Sequence, residues 1–522
     1  MGSLNIKAFI ILFIALGFAL YLGIATATAQ FEAISWVVGG MLLAVCLLLG
    51  KHVWILIPAT LSLRGTLNFL PGSPAPWHLM TAVAAVFFLG GLALRRHPFR
   101  LNWGWMETIL LLVGLTIAQA FVRAPVGFYA LGGDVAGGKP YFLFAVAFVA
   151  YLVISLSEPD LRAFRWAVGL YIAFGVLDGL ISAASQFWPS FGRFVLPAYS
   201  NVAFAQVMGS GLDLSEQRFG YIGQLGSLLG LVACTFWRPL AAIDLTKPWR
   251  ALVAGLACIL VPISGFRSLS GLLFVQFVVG SAVRRKWLDI AFIVLAALML
   301  VSVLAIGGFV RSLPFGAQRV LSVLPIEVDS RARLQAEGSS EERFEMWRLA
   351  LGTDRFIENK VLGDGFSLKA REVKAMSESL LGMPGQQVSF IEHSMAMGSY
   401  HGFHVETIRY TGLAGLLAAT AALVVFMVHA WRNIQAFRDH PYWTYVLFVA
   451  MPFLIYPLYY WLVFGSYKAN LPQVIAMAGM VKFLDCLRRA EEPAAAPAKE
   501  VAALGLAGME ARSVARGVAR ST

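Results

Sequence analysis

The feature that most constrains this chain is a long polar segment, residues 309–405, that lies between apolar stretches. Irregular polar backbone cannot lie in lipid, because nothing there satisfies its hydrogen-bonding groups. The segment must therefore lie outside the bilayer on one side. It is the only polar stretch of this size between apolar spans, and it is rich in Arg and His. We expect the functional groups to be concentrated there.

Composition favours a membrane protein over a soluble one. The 522 residues are 59% hydrophobic and only 13% charged, whereas soluble domains carry about 25% charged residues. A transmembrane helix needs roughly 17–25 mostly apolar residues. The sequence therefore predicts an all-α polytopic membrane protein, with about 12–14 transmembrane helices and one large extracytoplasmic loop containing helices. Candidate spans lie near 7–27, 33–50, 52–67, 77–94, 104–123, 139–157, 164–187, 219–237, 251–264, 269–283, 287–308, 406–430, 442–465 and 469–487.

Positive charges in the short loops orient these spans. Cytoplasmic loops carry an excess of Lys and Arg, and basic loops fall on alternate sides of the span count. They are 95–100, Arg162 with Arg165, Arg238 with Lys247 and Arg250, 284–286, Arg432 with Arg438, and Arg488 with Arg489. Both termini are therefore predicted to be cytoplasmic, and residues 309–405 to face the other side. These loops also account for the net charge of +12, so nucleic acid is not an expected partner.

The same pattern divides the chain into four parts. Transmembrane helices occupy 1–308, the outer loop 309–405, further transmembrane helices 406–489, and a cytoplasmic tail 490–522. The tail is Ala-rich with scattered charges and is predicted to be disordered. The first span is interpreted as an uncleaved helix, although Ala27-Thr28-Ala29 resembles a signal-peptidase site.

Cations on the outer face are not explained by orientation and need another reason. Arg123 and Lys139 bracket a Gly-rich loop, 127–138, and such loops can approach phosphate closely. Arg218 lies at the outer mouth of a span, and Arg267 lies in a tight turn between two short spans. Arg binds phosphate bidentately and keeps its charge, so these positions predict an anion site. The alternative for each residue is snorkelling at a helix end.

The outer loop adds a further cation. Ser339 and Glu342 fit a capping box, which predicts a helix that begins near Ser339. On that helix Arg343 lies at the edge of an apolar face, where it is either directed at a lipid headgroup or is an ordinary surface residue.

Two histidines end the loop, just before the next span. His401 and His404 are three residues apart, so they share a face on a helix. Either one is a candidate general base or hydrogen-bond donor. The alternatives are a structural histidine and, less favoured, a zinc site completed by Glu406.

These pieces stand in a characteristic order along the chain. They are the Gly-rich loop, Arg218-Phe219-Gly220-Tyr221, Arg267-Ser268, Arg343 to Trp347, Leu362 to Gly365, and His401 with Gly412-Leu413-Ala414-Gly415-Leu416. In order and topology, over roughly residues 120–420, the chain resembles the O-antigen ligase and polymerase superfamily of polytopic membrane glycosyltransferases.

The resemblance implies a metal-independent, inverting glycosyl transfer without a cofactor, on the outer face of a bacterial inner membrane. The donor would be a glycan linked to undecaprenyl pyrophosphate, held in the membrane lipid. The acceptor would be another glycan, a lipid A core or a protein. Arg218, Arg267 and Arg343, together with Arg123 and Lys139, would bind the pyrophosphate.

The resemblance also implies that His401 activates the acceptor hydroxyl, since the family's histidine stands at this place before the span. The family has Asn directly after that histidine, where this chain has Gly402. His404 therefore stays an alternative for the same role.

A non-catalytic polysaccharide flippase or exporter is the second hypothesis. Transporters place ionisable groups inside spans near the midplane. Asp178 is the clear mid-span acid, and Glu107 lies close to a helix end. The cations are instead predicted at the outer surface, which favours the enzyme.

Overall fold

A computed structural model describes most of the chain, and the described part is mostly helical. The described residues are 31–70, 72–94, 102–126, 137–200, 219–244, 246–324, 326–367, 391, 394–395 and 398–491. Several predictions lie outside them: the first span near 7–27, the basic loop 95–100, the Gly-rich stretch 127–136, Arg218 and the tail from 492.

The helices of the described part follow one another with short connections. They are α1 (Phe31–Leu49), α2 (Leu56–Leu61), α3 (Pro76–Ala93), α4 (Trp105–Arg123), α5 (Lys139–Leu156), α6 (Leu161–Phe187), α7 (Pro189–Val195), α8 (Gly220–Phe236), α9 (Pro248–Ile263), α10 (Arg267–Val283), α11 (Trp287–Gly307), α12 (Phe315–Leu321), α13 (Ser330–Gly352), α14 (Phe403–Ala436), α15 (Trp443–Leu462) and α16 (Asn470–Glu491). Short 3-10 helices cover Gly50–Ile55, Pro239–Ile243 and Phe309–Ser312, and two short strands, β1 (Thr66–Leu67) and β2 (Tyr199–Ser200), pair antiparallel.

Eight helices of the described part are long and apolar enough to cross a membrane. They are the segment Gly39–Leu61 and helices α3, α4, α5, α6, α11, α14 and α15. This is the architecture of an all-α, multi-pass membrane protein, as the sequence predicts.

The shorter or more polar spans of the prediction also form helices. The short apolar helices α8, α9 and α10 have 17, 16 and 17 residues. Helix α16 covers the span expected at 469–487, and it carries Lys482 and Asp485. The spans expected at 33–50 and 52–67 appear as α1, a 3-10 turn and α2, with Gly50 at a φ of 52° between them.

A buried ion pair ties α16 to α4 within the bundle. Lys482 Nζ lies 2.8 Å from Glu107 Oε1, and both side chains are buried. The Tyr151 hydroxyl on α5 donates to the same carboxylate at 2.7 Å. A buried charge is tolerated when its partners are all in place. Glu107 therefore holds three helices together.

Helices α12 and α13 form part of the segment 309–405, which is predicted to lie outside the membrane and is called the outer segment below. The prediction that the second of these begins near Ser339 is wrong, because α13 begins at Ser330. Asp329 is its N-cap, and its carboxylate accepts a hydrogen bond from the Arg331 backbone N–H at 2.8 Å. The Asp cap starts the helix more than two turns earlier, and Gly338 is accommodated inside it.

Candidate functional site

Helix α13 lies against the turn that carries Arg267. Arg267 is the first residue of α10, after a turn in which Gly265 has a φ of 76°. Its Nη2 donates to the Ala336 carbonyl at 2.7 Å and to Ser340 Oγ at 3.2 Å. Ala336 and Ser340 are four residues apart, on one face of α13. The outer segment is therefore fastened to the α10 turn by an arginine.

Arg343 follows on the same face of α13, one turn after Ser340. Its charge lies close enough to Arg267 for the two guanidinium groups to repel each other. Two residues far apart in the sequence, both predicted as anion-binding, are thus brought together. Like charges held at one place destabilise the protein unless an anion compensates them.

The surroundings of Arg343 leave its charge uncompensated. The side chain is partly buried, and no hydrogen bond or ion pair holds it among the residues that the structure describes. Burial lowers the pKa of its guanidinium from the ordinary value, and the neighbouring Tyr459 opposes this shift only in part. A half-buried arginine in this state is suited to bind an anion.

The segment that carries the two histidines contacts Trp347, which lies on α13 one turn after Arg343. Trp347 Nε1 donates to the Tyr400 carbonyl at 2.9 Å. A Cβ at position 402 would lie 2.8 Å from Trp347 Nε1. Gly402, found where the resemblance leads us to expect Asn, is therefore required by the packing of this tryptophan.

His401 and His404 have different environments. His401 is partly buried and has a φ of 49°, a left-handed conformation that non-glycine residues rarely adopt. The His404 ring packs against Trp347, with centroids 4.7 Å apart, and stacks on Trp461 at 5.8 Å. Among the described residues, its buried Nδ1 has no hydrogen-bond partner. His404 is thus accounted for by aromatic packing, whereas His401 is distinguished by its backbone conformation.

The Glu406 carboxylate is hydrogen-bonded to other residues of the protein. Its carboxylate accepts hydrogen bonds from Ser466 Oγ at 2.8 Å and from the Tyr467 backbone N–H at 3.1 Å. In the described ranges no three His, Cys, Asp or Glu side chains are grouped as metal ligands. Glu406 holds the loop between α15 and α16 in place.

Helix α14 is interrupted at Gly412, and a turn of the outer segment fills the interruption. Gly412 has a φ of 73°. The Asp364 and Gly365 backbone N–H groups donate to the Arg409 and Tyr410 carbonyls at 2.8 and 3.0 Å. These bonds satisfy backbone groups that the break would leave free. The Gly-rich motif 362–365 is thus a structural partner of the broken helix.

Arg123 and Lys139 lie around this turn. Arg123 Nη2 donates to the Gly363 carbonyl at 2.7 Å. Lys139 begins α5, close to His78, and the neighbouring Gly137 donates its N–H to the Phe366 carbonyl at 3.1 Å. The contacts of Arg123 therefore position the turn.

The approach of Gly363 to α14 gives a testable prediction. A Cβ on Gly363 would lie 2.5 Å from the backbone nitrogens of Thr411 and Gly412, at a φ of 73°. We expect Gly363→Ala to lower the free energy of unfolding by roughly 2–4 kcal/mol, because steric overlap and a left-handed alanine add up. Thermal unfolding in detergent measures this. The control is Gly338→Ala, inside α13 with open space around it, which should be neutral or stabilising. Equal melting of Gly363→Ala and the wild type would contradict the packing.

The sequence analysis missed one arginine, Arg64. Its charge acts on Tyr459, the residue on which the Arg343 charge also acts. Arg64 lies at the end of the span expected at 52–67, on the side that is predicted to face outward. The criterion that selected Arg267, a cation on the non-cytoplasmic side, applies equally to it.

Comparisons with known proteins do not assign this chain to a class. No protein-family model matches it, and a search of curated proteins found no match. Membership of the O-antigen ligase and polymerase superfamily therefore stays a prediction.

Proposed function

We propose that this chain is a membrane glycosyltransferase of the O-antigen ligase or polysaccharide polymerase type. It would transfer a glycan from undecaprenyl pyrophosphate to an acceptor hydroxyl on the outer face of a bacterial inner membrane. The observation that carries the proposal is the meeting of Arg267 and Arg343 at one face of α13. Neither cation has an ion-pair partner among the residues that the structure describes, and both border the histidine segment.

The arginine pair fits the leaving group of such a transfer. When the bond between the anomeric carbon and the pyrophosphate oxygen breaks, the electron pair goes to the pyrophosphate. Charge therefore builds on the phosphate oxygens, and fixed cations stabilise it. Arg343 and the free part of the Arg267 guanidinium supply such cations at the predicted membrane surface. Two arginines can supply this stabilisation without a metal ion.

His401 is the proton acceptor in this proposal. The acceptor hydroxyl attacks the anomeric carbon, a new carbon–oxygen bond forms with inversion, and the hydroxyl proton passes to the imidazole. The left-handed backbone of His401 supports this role, since strained conformations of this kind cluster at functional sites. His404, packed between Trp347 and Trp461, is the alternative.

The acids inside the spans support the enzyme over a flippase or exporter. Asp178 accepts a hydrogen bond from the Tyr199 hydroxyl, and the Arg64 backbone N–H lies beside its carboxylate. Glu107 pairs with Lys482. Both carboxylates thus have structural partners, which a transported substrate would have to displace.

Release of the lipid carrier tests the proposed reaction. The purified protein in detergent would receive undecaprenyl-pyrophosphate oligosaccharide with a glycan, a lipid A core or a protein as acceptor. We expect undecaprenyl pyrophosphate to appear with one of these acceptors and without added metal. No release with any acceptor would overturn the proposal.

The proposal requires residues 309–405 outside and both termini in the cytoplasm, with about 12–14 spans in all. We expect a membrane-impermeant maleimide to label Gly338→Cys in spheroplasts, and Arg285→Cys only after lysis. Both changes are made in a variant whose four native cysteines are replaced by serine. Labelling of position 285 but not 338 would reverse the orientation and remove the site from the outer face.

A further inference from the structure

A cavity with several polar side chains in its lining lies between α2, α6 and α8, next to the site described above. Together with the part that is open to solvent, its volume is about 320 Å³. Arg64, Tyr171, Asp178, Tyr221 and Gln224 contribute polar groups to its lining. In the described part of the chain, the buried Oε1 of Gln224 has no hydrogen-bond partner. A cavity with this lining is suited to a polar ligand.

Arg64 is held in this cavity by its backbone. Its N–H group lies beside the Asp178 carboxylate. The next residue, Gly65, donates its N–H to the Tyr199 hydroxyl at 2.7 Å, and that hydroxyl donates in turn to Asp178. Pairing of β1 with β2 fixes the same segment. The position of Arg64 is therefore set without use of its side chain.

The Arg64 guanidinium is left available. The residue is exposed, and its side chain makes no hydrogen bond or ion pair with any part of the chain that the structure describes. The Asp178 carboxylate is close enough for its charge to act on that of Arg64, but it already accepts a hydrogen bond from the Tyr199 hydroxyl. A guanidinium group that is held in place and can still donate two parallel hydrogen bonds is suited to bind phosphate.

Helix α8 connects the cavity to the Arg267 turn. Tyr221 and Gln224 of its first two turns line the cavity. On another side of the same turns, Gly223 packs against Ser264 and Leu269, which flank Arg267 in sequence. The Phe219 backbone N–H also donates to the Ser264 carbonyl at 3.1 Å. A helix is about 10 Å across, so cavity and turn are near neighbours.

Tyr459, on α15, interacts with groups of both the cavity and the Arg267 turn. Its hydroxyl lies beside Ser268, the residue after Arg267, and the charges of Arg64 and Arg343 both act on it. Two arginines from separate parts of the chain therefore act on one tyrosine, which also borders the Arg267 turn.

We propose that Arg64 is a third cation of the anion site and binds the diphosphate of the lipid-linked donor together with Arg267 and Arg343. The inference rests on the proposed function and adds to it a residue and a place: the donor diphosphate lies between the Arg267 turn and the cavity of Arg64.

Binding of undecaprenyl pyrophosphate to the purified full-length protein in detergent, measured by isothermal titration calorimetry, tests this. We expect Arg64→Gln to weaken binding about tenfold or more, because one charged hydrogen-bonding partner is lost. Arg193→Gln removes the same charge from an exposed residue of α7 and should leave the affinity unchanged. Arg64→Lys keeps the charge but lacks the planar guanidinium group, so this variant should bind more weakly than the wild type. If Arg64→Gln does not fold, Arg64→Lys is the variant that tests the inference.

The outcomes separate this inference from the proposed function. If Arg64→Gln binds like Arg193→Gln while Arg343→Gln binds weakly, Arg64 is not part of the site and the proposed function stands. If neither Arg64→Gln nor Arg343→Gln weakens binding, both proposals are wrong. Phosphatidylglycerol offers a single phosphate from the membrane itself. Arg64-dependent binding of phosphatidylglycerol as tight as that of undecaprenyl pyrophosphate would assign the site to a lipid headgroup and overturn the diphosphate assignment.

Discussion

His401→Asn is expected to lower the rate of glycan transfer by roughly 10²–10⁴-fold, the usual contribution of a general base. Asn tolerates the left-handed conformation that His401 adopts, with its φ of 49°, so the backbone of the segment should be preserved. The variant removes the imidazole that accepts the proton from the acceptor hydroxyl. Transfer is measured as released undecaprenyl pyrophosphate, and donor binding should be unchanged.

His404→Phe is the matched control for this variant. Phenylalanine keeps a ring between Trp347 and Trp461, so we expect near-normal transfer and a near-normal melting temperature. Loss of transfer in His404→Phe with normal transfer in His401→Asn would move the catalytic role to His404. Normal transfer in both variants would show that neither histidine is the base.

Arg343→Gln should lower transfer between tenfold and a few hundredfold, since a charged contact in a partly dry site contributes about 1.5–3 kcal/mol. The same substitution should not destabilise the ligand-free protein. Removing the charge relieves the repulsion with Arg267 and the cost of burial. We therefore expect the melting temperature of the ligand-free protein to stay the same or rise. Arg343→Lys should rescue transfer poorly, because a point charge does not replace the planar fork.

Arg348→Gln is the control on the same helix. Arg348 is exposed and pairs with Glu345 at 2.7 Å, an arrangement worth little, so neither transfer nor stability should change much. If Arg343→Gln lowers the melting temperature and leaves transfer intact, Arg343 is a structural residue and the anion site is wrongly placed.

The helical membrane fold was predictable because apolar length alone decides it. Spans such as α11 and α15 are set by local composition, and no tertiary contact is needed to recognise them. The polar segment 309–405 was predictable for the same reason, because its position between apolar spans is visible in the sequence itself. The start of α13 was missed because two capping signals compete, and Asp329 rather than Ser339 is used.

The site was predictable only as a set of candidate residues. Arg267 and Arg343 stand out as outer-face cations, but their meeting depends on how α13 packs on the α10 turn, through Ala336 and Ser340. Arg64 meets the same criterion, but nothing in the sequence relates it to Arg267 or Arg343. Its electrostatic relation to Tyr459 arises only from tertiary packing, which no local pattern reports.

The contact between the outer turn and the broken helix α14 is made largely by main-chain groups. Besides the bonds of Asp364 and Gly365, the Leu413 N–H donates to the Lys360 carbonyl at 2.8 Å. The side chains of residues 360–362 contribute little to this contact, and Val361 is 62% exposed. A saturation library across this turn should therefore show a tolerant stretch at 360–362, interrupted at Gly363, and a second intolerant position at Gly412. The chain is thus free to vary its side chains over this stretch of the outer surface while the path of its backbone stays fixed.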